Sequence, residues 1–227
     1  MLFVADPVEL ATGITDAILG LFAVLCAVGL FALTARDPWK ARLWSVAVLL
    51  LAIASVLGVA QHGLVVDPTT RTLAIHGIDL ALGQVIALVV DGALLDRWGL
   101  TVARRALPFL ILMGVIFFGI AYLFPTTFLP FILYEAVAML FALGVYISLA
   151  IARRPGALLM TLGILVTILA AVVQVSPLEL DLIWRLDHNS LFHLVQLVGL
   201  ALLFSGLSAS MIAVVVHVPD PVGSARR

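Results

Sequence analysis

The sequence predicts an all-α integral membrane protein, with residues 1–227 forming a single bundle of seven transmembrane helices. Hydrophobic residues make up 64% of the 227 residues and charged residues only 11%, with a mean hydropathy of +1.25. A soluble domain carries roughly 25% charged residues. Seven hydrophobic windows are also long enough to cross a bilayer, and they leave no room for a soluble domain. These windows cover residues 14–35, 42–66, 74–95, 106–124, 127–152, 156–175 and 189–216.

The basic residues predict the direction of these spans. Of the twelve Lys and Arg residues, only Arg71 and Arg185 fall outside one alternate set of connections and the C-terminal tail. Because cytoplasmic connections carry the excess of basic residues, we expect the N-terminus outside and the C-terminus in the cytoplasm. Arginine outnumbers lysine eleven to one. This composition is typical of a GC-rich bacterium, so the expected location is a bacterial plasma membrane.

Composition also excludes some partners and frameworks. The net charge of −1 offers no basic stripe that could follow a phosphate backbone, so nucleic acid is not an expected partner. The single cysteine, Cys26, has no second cysteine with which to form an internal disulfide.

Ionisable side chains within the predicted spans are the functional candidates, because a charge in lipid is costly. They are Asp16, His62, Asp79, Asp91, Glu135 and His193, with His76 and His188 at the span edges. With the predicted direction, all of them except Asp91 fall in the outer half of the bundle. Asn189, His193 and Gln196 are spaced by four and three residues and therefore share one helix face. The sequence thus predicts a polar cavity in the outer half of the bundle.

Imidazoles from two or more helices beside a carboxylate are suitable ligands for zinc. The candidate metal ligands are His62, His193, Asn189, His188 and His76. Asp79 and Glu135 are the candidate catalytic residues, because a carboxylate can orient a ligating histidine or transfer protons.

Simpler interpretations of the same residues stay open. His76 and His188 lie where interfacial histidines are common, and His62 and His193 could serve as structural hydrogen-bond partners. Asp16 could cap the first turn of the first span, where a carboxylate suits the helix dipole.

The segment Asp187-His188-Asn189-Ser190-Leu191-Phe192-His193, which opens the last span, resembles the seventh-helix motif of the CREST superfamily. That superfamily includes the alkaline ceramidases and the progestin-and-adipoQ receptors. The resemblance implies a seven-helix fold with zinc held by one histidine on helix 2 and two on helix 7. It also implies an assisting aspartate on helix 3, an assisting serine on helix 2, and hydrolysis of a lipid amide.

Carried over residue by residue, His193 matches one helix-7 histidine, His62 the helix-2 histidine and Asp79 the helix-3 aspartate. The chain departs from the motif at Asn189, where helix 7 would carry its other histidine, and at Gly58, where helix 2 would carry serine. The Asn-x-x-x-His pattern is also similar to that of small bacterial seven-span proteins.

Four functions follow from these patterns. The first is a zinc-dependent hydrolase of lipid amides or esters, with a membrane lipid as substrate. The second is a non-enzymatic transporter or sensor that uses Glu135 and Asp79. The third is a family member that keeps the fold and has lost the metal, which Asn189 favours. The fourth is a haem-binding electron-transfer protein with His62 and His193 as axial ligands.

Overall fold

The computed structural model describes residues 2–124, 129–181 and 184–213, and in them the fold is all-α apart from one short hairpin. The elements are α1 (Pro7–Phe31) with a 3-10 turn (Ala32–Ala35), α2 (Pro38–Gly58) with a π-helical turn (Val59–Gly63), α3 (Pro68–Trp98), α4 (Leu100–Leu123), α5 (Leu129–Ile151), α6 (Ala157–Gln174), β1 (Leu180–Asp181), β2 (Arg185–Leu186) and α7 (His188–Ala213).

Helices α1, α2 and α3 begin with the same signal, an aspartate followed by a proline. The side chains of Asp6, Asp37 and Asp67 each accept a hydrogen bond from a backbone N–H of the first turn. Proline suits the first helical position, where its missing N–H leaves no bond unmade. All three helices therefore begin earlier than the hydrophobic windows predict, because hydropathy marks only the part of a helix that suits lipid.

The start of α4 also differs from the prediction, and parts of two predicted spans cannot be compared with the structure. Pro108, which the sequence places near a span start, lies inside α4, because that helix already begins at Leu100. Residues 127–128 of the predicted fifth span and 214–216 of the predicted seventh lie outside the described residues, as do Arg226 and Arg227.

Six of the helices form a closed ring in the order α1, α2, α3, α5, α6, α7. Helix α4 packs outside this ring, mainly on α3, and only its Ala103 and Gly114 are buried. Neighbours in sequence run antiparallel: Lys40 near the start of α2 contacts Asp96 near the end of α3. Helices α1 and α7 run parallel, with Thr12 beside Ser190 near both starts.

The seven helices are each long and apolar enough to cross a membrane. Large apolar side chains cover their outward surfaces, for example Leu21 on α1, Phe109 on α4 and Val137 on α5. Lipid accommodates such a surface, whereas water does not. The fold therefore has the features of a multi-pass transmembrane protein.

The bundle has two chemically different ends. At the hairpin end, where α1, α3, α5 and α7 start, strand β2 contacts α1. At the basic end, where α2, α4 and α6 start, most of the described basic residues are found: Arg36, Lys40, Arg42, Arg97, Arg104, Arg105, Arg153 and Arg154.

Candidate functional site

The centre of the candidate site is a buried contact between α1 and α7. Nε2 of His193 lies 3.2 Å from Oδ1 of Asp16, and Nδ1 of His193 lies 3.0 Å from Oγ1 of Thr15. Asp16 is only 4% exposed and His193 only 8% exposed. We call Thr15, Asp16 and His193 the hairpin-end cluster.

The position of Asp16 rules out the capping interpretation. Helix α1 begins at Pro7, and Asp6 is its N-cap, accepting from Val8 N–H at 2.9 Å. Asp16 therefore lies about three turns into the helix, where every backbone N–H already has a helical partner. Its carboxyl group points across the interface, and Oδ2 is buried without a hydrogen-bond partner among the described residues.

Glycines in α1 and in α2 with its π-helical turn make this arrangement possible. A Cβ atom added to Gly58 would lie 2.4 Å from Oδ2 of Asp16, and one added to Gly13 would lie 2.6 Å from the Cα of Gly63. No real Cβ tolerates such distances. Gly58 is the position at which the chain departs from the serine of the CREST motif. In this fold the carboxyl group of Asp16 occupies the space that a serine side chain at this position would need.

Hydroxyl groups extend the polar contact towards the hairpin. Thr12 Oγ1 lies 2.8 Å from Ser190 Oγ, and both hydroxyls contact Oδ1 of Asp187 at 3.0 and 2.8 Å. Asp187 also accepts from the backbone N–H of Ser190 at 2.8 Å and so caps α7. Partial burial raises the pKa of Asp187, but the hydrogen bonds from Ser190 and Thr12 outweigh it and hold the pKa below its ordinary value.

His62 lies at the rim of the same interface. It belongs to the π-helical turn that ends α2, and its Nδ1 contacts Oε2 of Glu9 at 2.8 Å. His62 is also close enough to His193 to interact with it electrostatically. The structure therefore brings the predicted pair His62 and His193 to one region, with α1 supplying the carboxylates of Glu9 and Asp16 between them.

The predicted face of α7 is polar as expected. His193 and Gln196 are buried on it, and Gln196 Nε2 donates to Thr167 Oγ1 of α6 at 3.3 Å. Asn189 is half-buried, and its Nδ2 lies 3.5 Å from Oδ2 of Asp187. His188, the first residue of α7, is half-buried and interacts electrostatically with Asp187.

The other candidate residues lie at different interfaces. His76 packs against the aromatic rings of Phe118 and Tyr122 on α4, and Asp79 is its electrostatic neighbour on α3. Glu135 lines a groove of about 150 Å³ between α5 and α6, together with Gln174. The candidate catalytic residues Asp79 and Glu135 therefore do not join His193 in its contact with α1.

The hairpin-end cluster does not fit a zinc ion as it is arranged. Zinc needs three or four ligand atoms that converge on one point, and no group of three His, Cys, Asp or Glu side chains does so in residues 2–124, 129–181 and 184–213. Both ring nitrogens of His193 already face Thr15 and Asp16, and Nδ1 of His62 faces Glu9. Zinc binding stays a prediction of the resemblance.

Sequence reasoning missed the hydroxyl groups because it searched for ionisable side chains. Thr12 and Thr15 are three residues apart, which places them on one helix face with Asp16 close by. The Asp6–Pro7 start signal was also available, and it would have placed α1 early enough to move Asp16 away from the cap.

A second polar group was missed at the basic end. Lys40 is 6% exposed, its Nζ lies 2.6 Å from Oδ1 of Asp96, and the hydroxyl of Tyr146 donates to Oδ2 of Asp96 at 2.9 Å. We call Lys40, Asp96 and Tyr146 the basic-end cluster. The predicted second span begins at residue 42 and therefore leaves Lys40 in a connection. In the structure α2 begins at Pro38, so Lys40 lies in its first turn.

Asp91 lies deeper in α3. It is fully buried, and neither of its carboxyl oxygens has a hydrogen-bond partner among the described residues.

We assign the protons of the hairpin-end cluster from its hydrogen bonds. The hydroxyl of Thr15 has one proton, which it donates to the carbonyl oxygen of Thr12 at 2.9 Å. It therefore accepts from Nδ1–H of His193. Nε2 is then left facing Asp16, and the short contact requires one further proton, carried either by the carboxyl group or by the imidazole.

Comparison with known proteins identifies a sequence family. No curated protein and no solved structure matches the chain. The sequence profile of DUF6962, described as a family of unknown function, matches residues 11–212. This range covers most of the chain, including the helices that carry both polar clusters. The chain therefore belongs to DUF6962, a family of unknown function.

Proposed function

We propose that this protein is a proton-responsive sensor of a bacterial plasma membrane, with the Asp16–His193 pair as its proton-binding site. The observation that carries the proposal is the 3.2 Å contact between a buried carboxyl oxygen and a ring nitrogen of His193, whose other ring nitrogen lies 3.0 Å from the hydroxyl oxygen of Thr15. One proton fits between the two groups. Its loss would leave an unpaired negative charge at Asp16, which a low-dielectric interface disfavours.

The surroundings of the pair support a switch in helix packing. Gly13 approaches the backbone of Gly63 and Gly58 approaches the carboxyl group of Asp16, so α1 packs closely against α2 and its π-helical turn on the side of this carboxyl group. A change of charge at Asp16 would therefore act on the α1–α2 and α1–α7 contacts. The titratable groups that interact electrostatically with His193 are His62 and Asp187, and both lie towards the hairpin end, from which a proton would enter.

The proposed orientation places the hairpin end outside and the basic end in the cytoplasm. Among the described residues only Arg71 and Arg185 are basic at the hairpin end, while eight are found at the basic end. The positive-inside rule supports this direction. It is tested on a Cys26→Ser background with Thr69→Cys or Arg36→Cys. A membrane-impermeant maleimide should label the first variant on intact cells and the second only after lysis.

The proton site is tested by infrared difference spectroscopy over a pH titration from about pH 3 to about pH 9, which spans the ordinary pKa values of Asp and His. We expect a pH-dependent band of a protonated carboxyl group that Asp16→Asn removes and His193→Gln shifts. Glu135→Gln is the matched control, because Glu135 lies in the separate α5–α6 groove, and it should leave this band in place. A band that survives Asp16→Asn would refute the assignment.

Sensing requires that the proton changes the structure. We expect hydrogen-exchange protection in the first half of α1 and of α7, corrected for the intrinsic pH dependence of amide exchange, to change with pH in the wild type and to stay constant in Asp16→Asn. If exchange in both helices is equally pH-dependent in the two proteins, the pair is a structural contact and the sensor proposal fails.

The zinc-dependent lipid hydrolase is the second candidate, favoured by the closeness of His62 and His193. Its test is elemental mass spectrometry of protein purified without added metal. Near-stoichiometric zinc that disappears in both His62→Ala and His193→Ala would replace the sensor proposal with a metal site. Absence of zinc, also after zinc is added back, would exclude the hydrolase.

A further inference from the structure

The basic end contains a cavity of about 640 Å³ enclosed by the ends of α2, α3, α5, α6 and α7. The basic-end cluster of Lys40, Asp96 and Tyr146 forms part of its lining. This volume lies within the range of about 300–1,000 Å³ that small-molecule sites occupy. The cavity is far larger than the groove beside Glu135 and is separate from the Asp16–His193 pair.

The charges that line the cavity leave an excess of positive charge. Asp96 is neutralised by Lys40 at 2.6 Å, and Asp37 accepts from the backbone N–H of Lys40 as the cap of α2. Arg153 and Arg154 also line the cavity and are exposed. In the part of the chain that the structure describes, neither guanidinium group has an ion-pair or hydrogen-bond partner. With Asp37 and Asp96 set against Lys40, Arg153 and Arg154, the ionisable side chains that line the cavity leave an excess of one positive charge.

The turn between α5 and α6 fixes these two arginines. Arg153 has φ of 54° and Gly156 has φ of 76°, both in the left-handed region. A Cβ at Gly156 would lie 2.0 Å from the carbonyl oxygen of Gly206, so the turn is packed directly against the backbone of α7. A non-glycine residue such as Arg153 rarely adopts this conformation, and it persists only where the surrounding structure enforces it.

The start of α6 adds a second attraction for an anion. Helix α6 has no side-chain hydrogen bond at its N-cap, Gly156, and Ala157 and Met160 of its first turns line the cavity. The N–H group of Ala157 donates to the carbonyl oxygen of Arg154 at 3.1 Å, but the positive end of the helix dipole still favours a negative group. This helix end lies on the same rim as Arg153 and Arg154, so the arginine pair and the helix end favour the same charge.

Apart from Ser210, the rest of the lining is apolar. Leu149, Pro155 and Met160 face the same space as the charged groups. A ligand that fits must therefore carry a negative head and an apolar portion, and the cavity lies at the end of a bundle of membrane-spanning helices. Basic pockets between helices at the cytoplasmic side are the usual sites for phosphate headgroups of anionic lipids.

We propose that the basic-end cavity binds a phosphate group, carried by the headgroup of an anionic phospholipid or by a soluble phosphate compound, between Arg153, Arg154 and the start of α6. Lys40 and Asp96 form the fixed floor of this site, and the apolar side chains accept the adjoining glycerol and acyl carbons of the lipid. The site is independent of the proton pair at the other end of the bundle.

The test is native mass spectrometry of the full chain, so that residues 214–227, which follow Ala213 at the rim, are present throughout. Phosphatidylglycerol, phosphatidylcholine and inorganic phosphate are titrated separately. We expect phosphatidylglycerol to bind in preference to phosphatidylcholine. Arg153→Gln/Arg154→Gln should weaken this binding by about tenfold or more, because each basic residue contributes about 1 kcal/mol to anionic-lipid attraction.

The matched control is Arg36→Gln/Arg105→Gln, which removes the same charge at the same end. Both residues are exposed and neither lines the cavity. We expect less than a twofold change for this pair, with unaltered thermal stability in both double variants. Competition by inorganic phosphate at the wild-type site would identify a soluble phosphate source, and binding of phosphatidylglycerol without such competition would identify the lipid. The proposal would be overturned if both double variants weakened binding equally. It would also be overturned if inorganic phosphate did not bind and phosphatidylglycerol bound no better than phosphatidylcholine.

Discussion

The hairpin-end cluster and the basic-end cluster both join an acidic and a basic side chain across helices, but they do so in different surroundings. His193 and Asp16 meet at 3.2 Å with hydroxyls of Thr15, Thr12 and Ser190 around them and tight glycine contacts behind. Lys40 and Asp96 meet at 2.6 Å beside a cavity of about 640 Å³. One pair is enclosed by protein and the other borders open space.

This difference assigns different chemistry to the two ends. A histidine changes its charge within the physiological pH range, whereas lysine does so only well above it. The enclosed pair can therefore hold or lose a proton, while the Lys40–Asp96 pair serves as a fixed floor of the cavity. Four variants test the contrast, in order of decreasing expected effect.

The largest effect is expected from Lys40→Met. The substitution leaves the carboxylate of Asp96, whose side chain is 16% exposed at the wall of the cavity, without its cation. The loss of one partner costs about 3–5 kcal/mol in fully buried pairs, which sets the upper end of the expected effect. Unfolding by SDS in mixed micelles measures the loss. The double variant Lys40→Met/Asp96→Asn keeps an acceptor for Tyr146 and should recover most of the stability. A single variant as stable as the wild type would show that the pair is solvated from the cavity.

Gly58→Ala should come next, at about 1–3 kcal/mol, because its Cβ would lie 2.4 Å from Oδ2 of Asp16. Gly144→Ala is the control, since a Cβ there meets no atom within 4 Å. Thermal unfolding in detergent compares the two. Adding Asp16→Ala should relieve part of the cost of Gly58→Ala, and strictly additive effects would contradict the contact between these residues.

Asp187→Ala should cost about 1 kcal/mol at neutral pH, the usual value for the loss of an N-cap. The folded-state pKa of Asp187 lies below its ordinary value of 3.8. Its contribution is therefore complete above pH 3.8 and is lost as the pH falls through the lowered pKa. Urea or SDS unfolding of wild type and variant at several acidic pH values measures this. A difference that grows on acidification would contradict the sign.

The smallest effect is expected from Arg185→Gln. Arg185 pairs with Glu179 across the hairpin, but both side chains are more than half exposed. Water and salt screen such a pair, so we expect no measurable change in unfolding and no change in the infrared band of Asp16. A clear loss of stability would show that the hairpin supports the α1–α7 contact.

The sequence anticipated part of the candidate site. It identified His62 and His193 as a pair at one end of the bundle and predicted the shared face of Asn189, His193 and Gln196. It grouped His76, Asp79 and Glu135 with them, because depth in a span can be estimated from the chain. The structure separates these three onto the α3–α4 and α5–α6 interfaces. Depth does not determine which neighbour a helix face meets.

By itself the sequence determined that the chain has seven apolar helices, because hydropathy and length are local properties of each segment. Local sequence also determines three of the helix starts, through the Asp-Pro pairs at residues 6–7, 37–38 and 67–68. Only the tertiary structure decided that Asp16 faces His193, that Gly58 makes room for it, and that Lys40 is buried against Asp96. These are contacts between helices far apart in the chain, and the order of helices around the ring, with α4 outside it, is set by packing of whole faces.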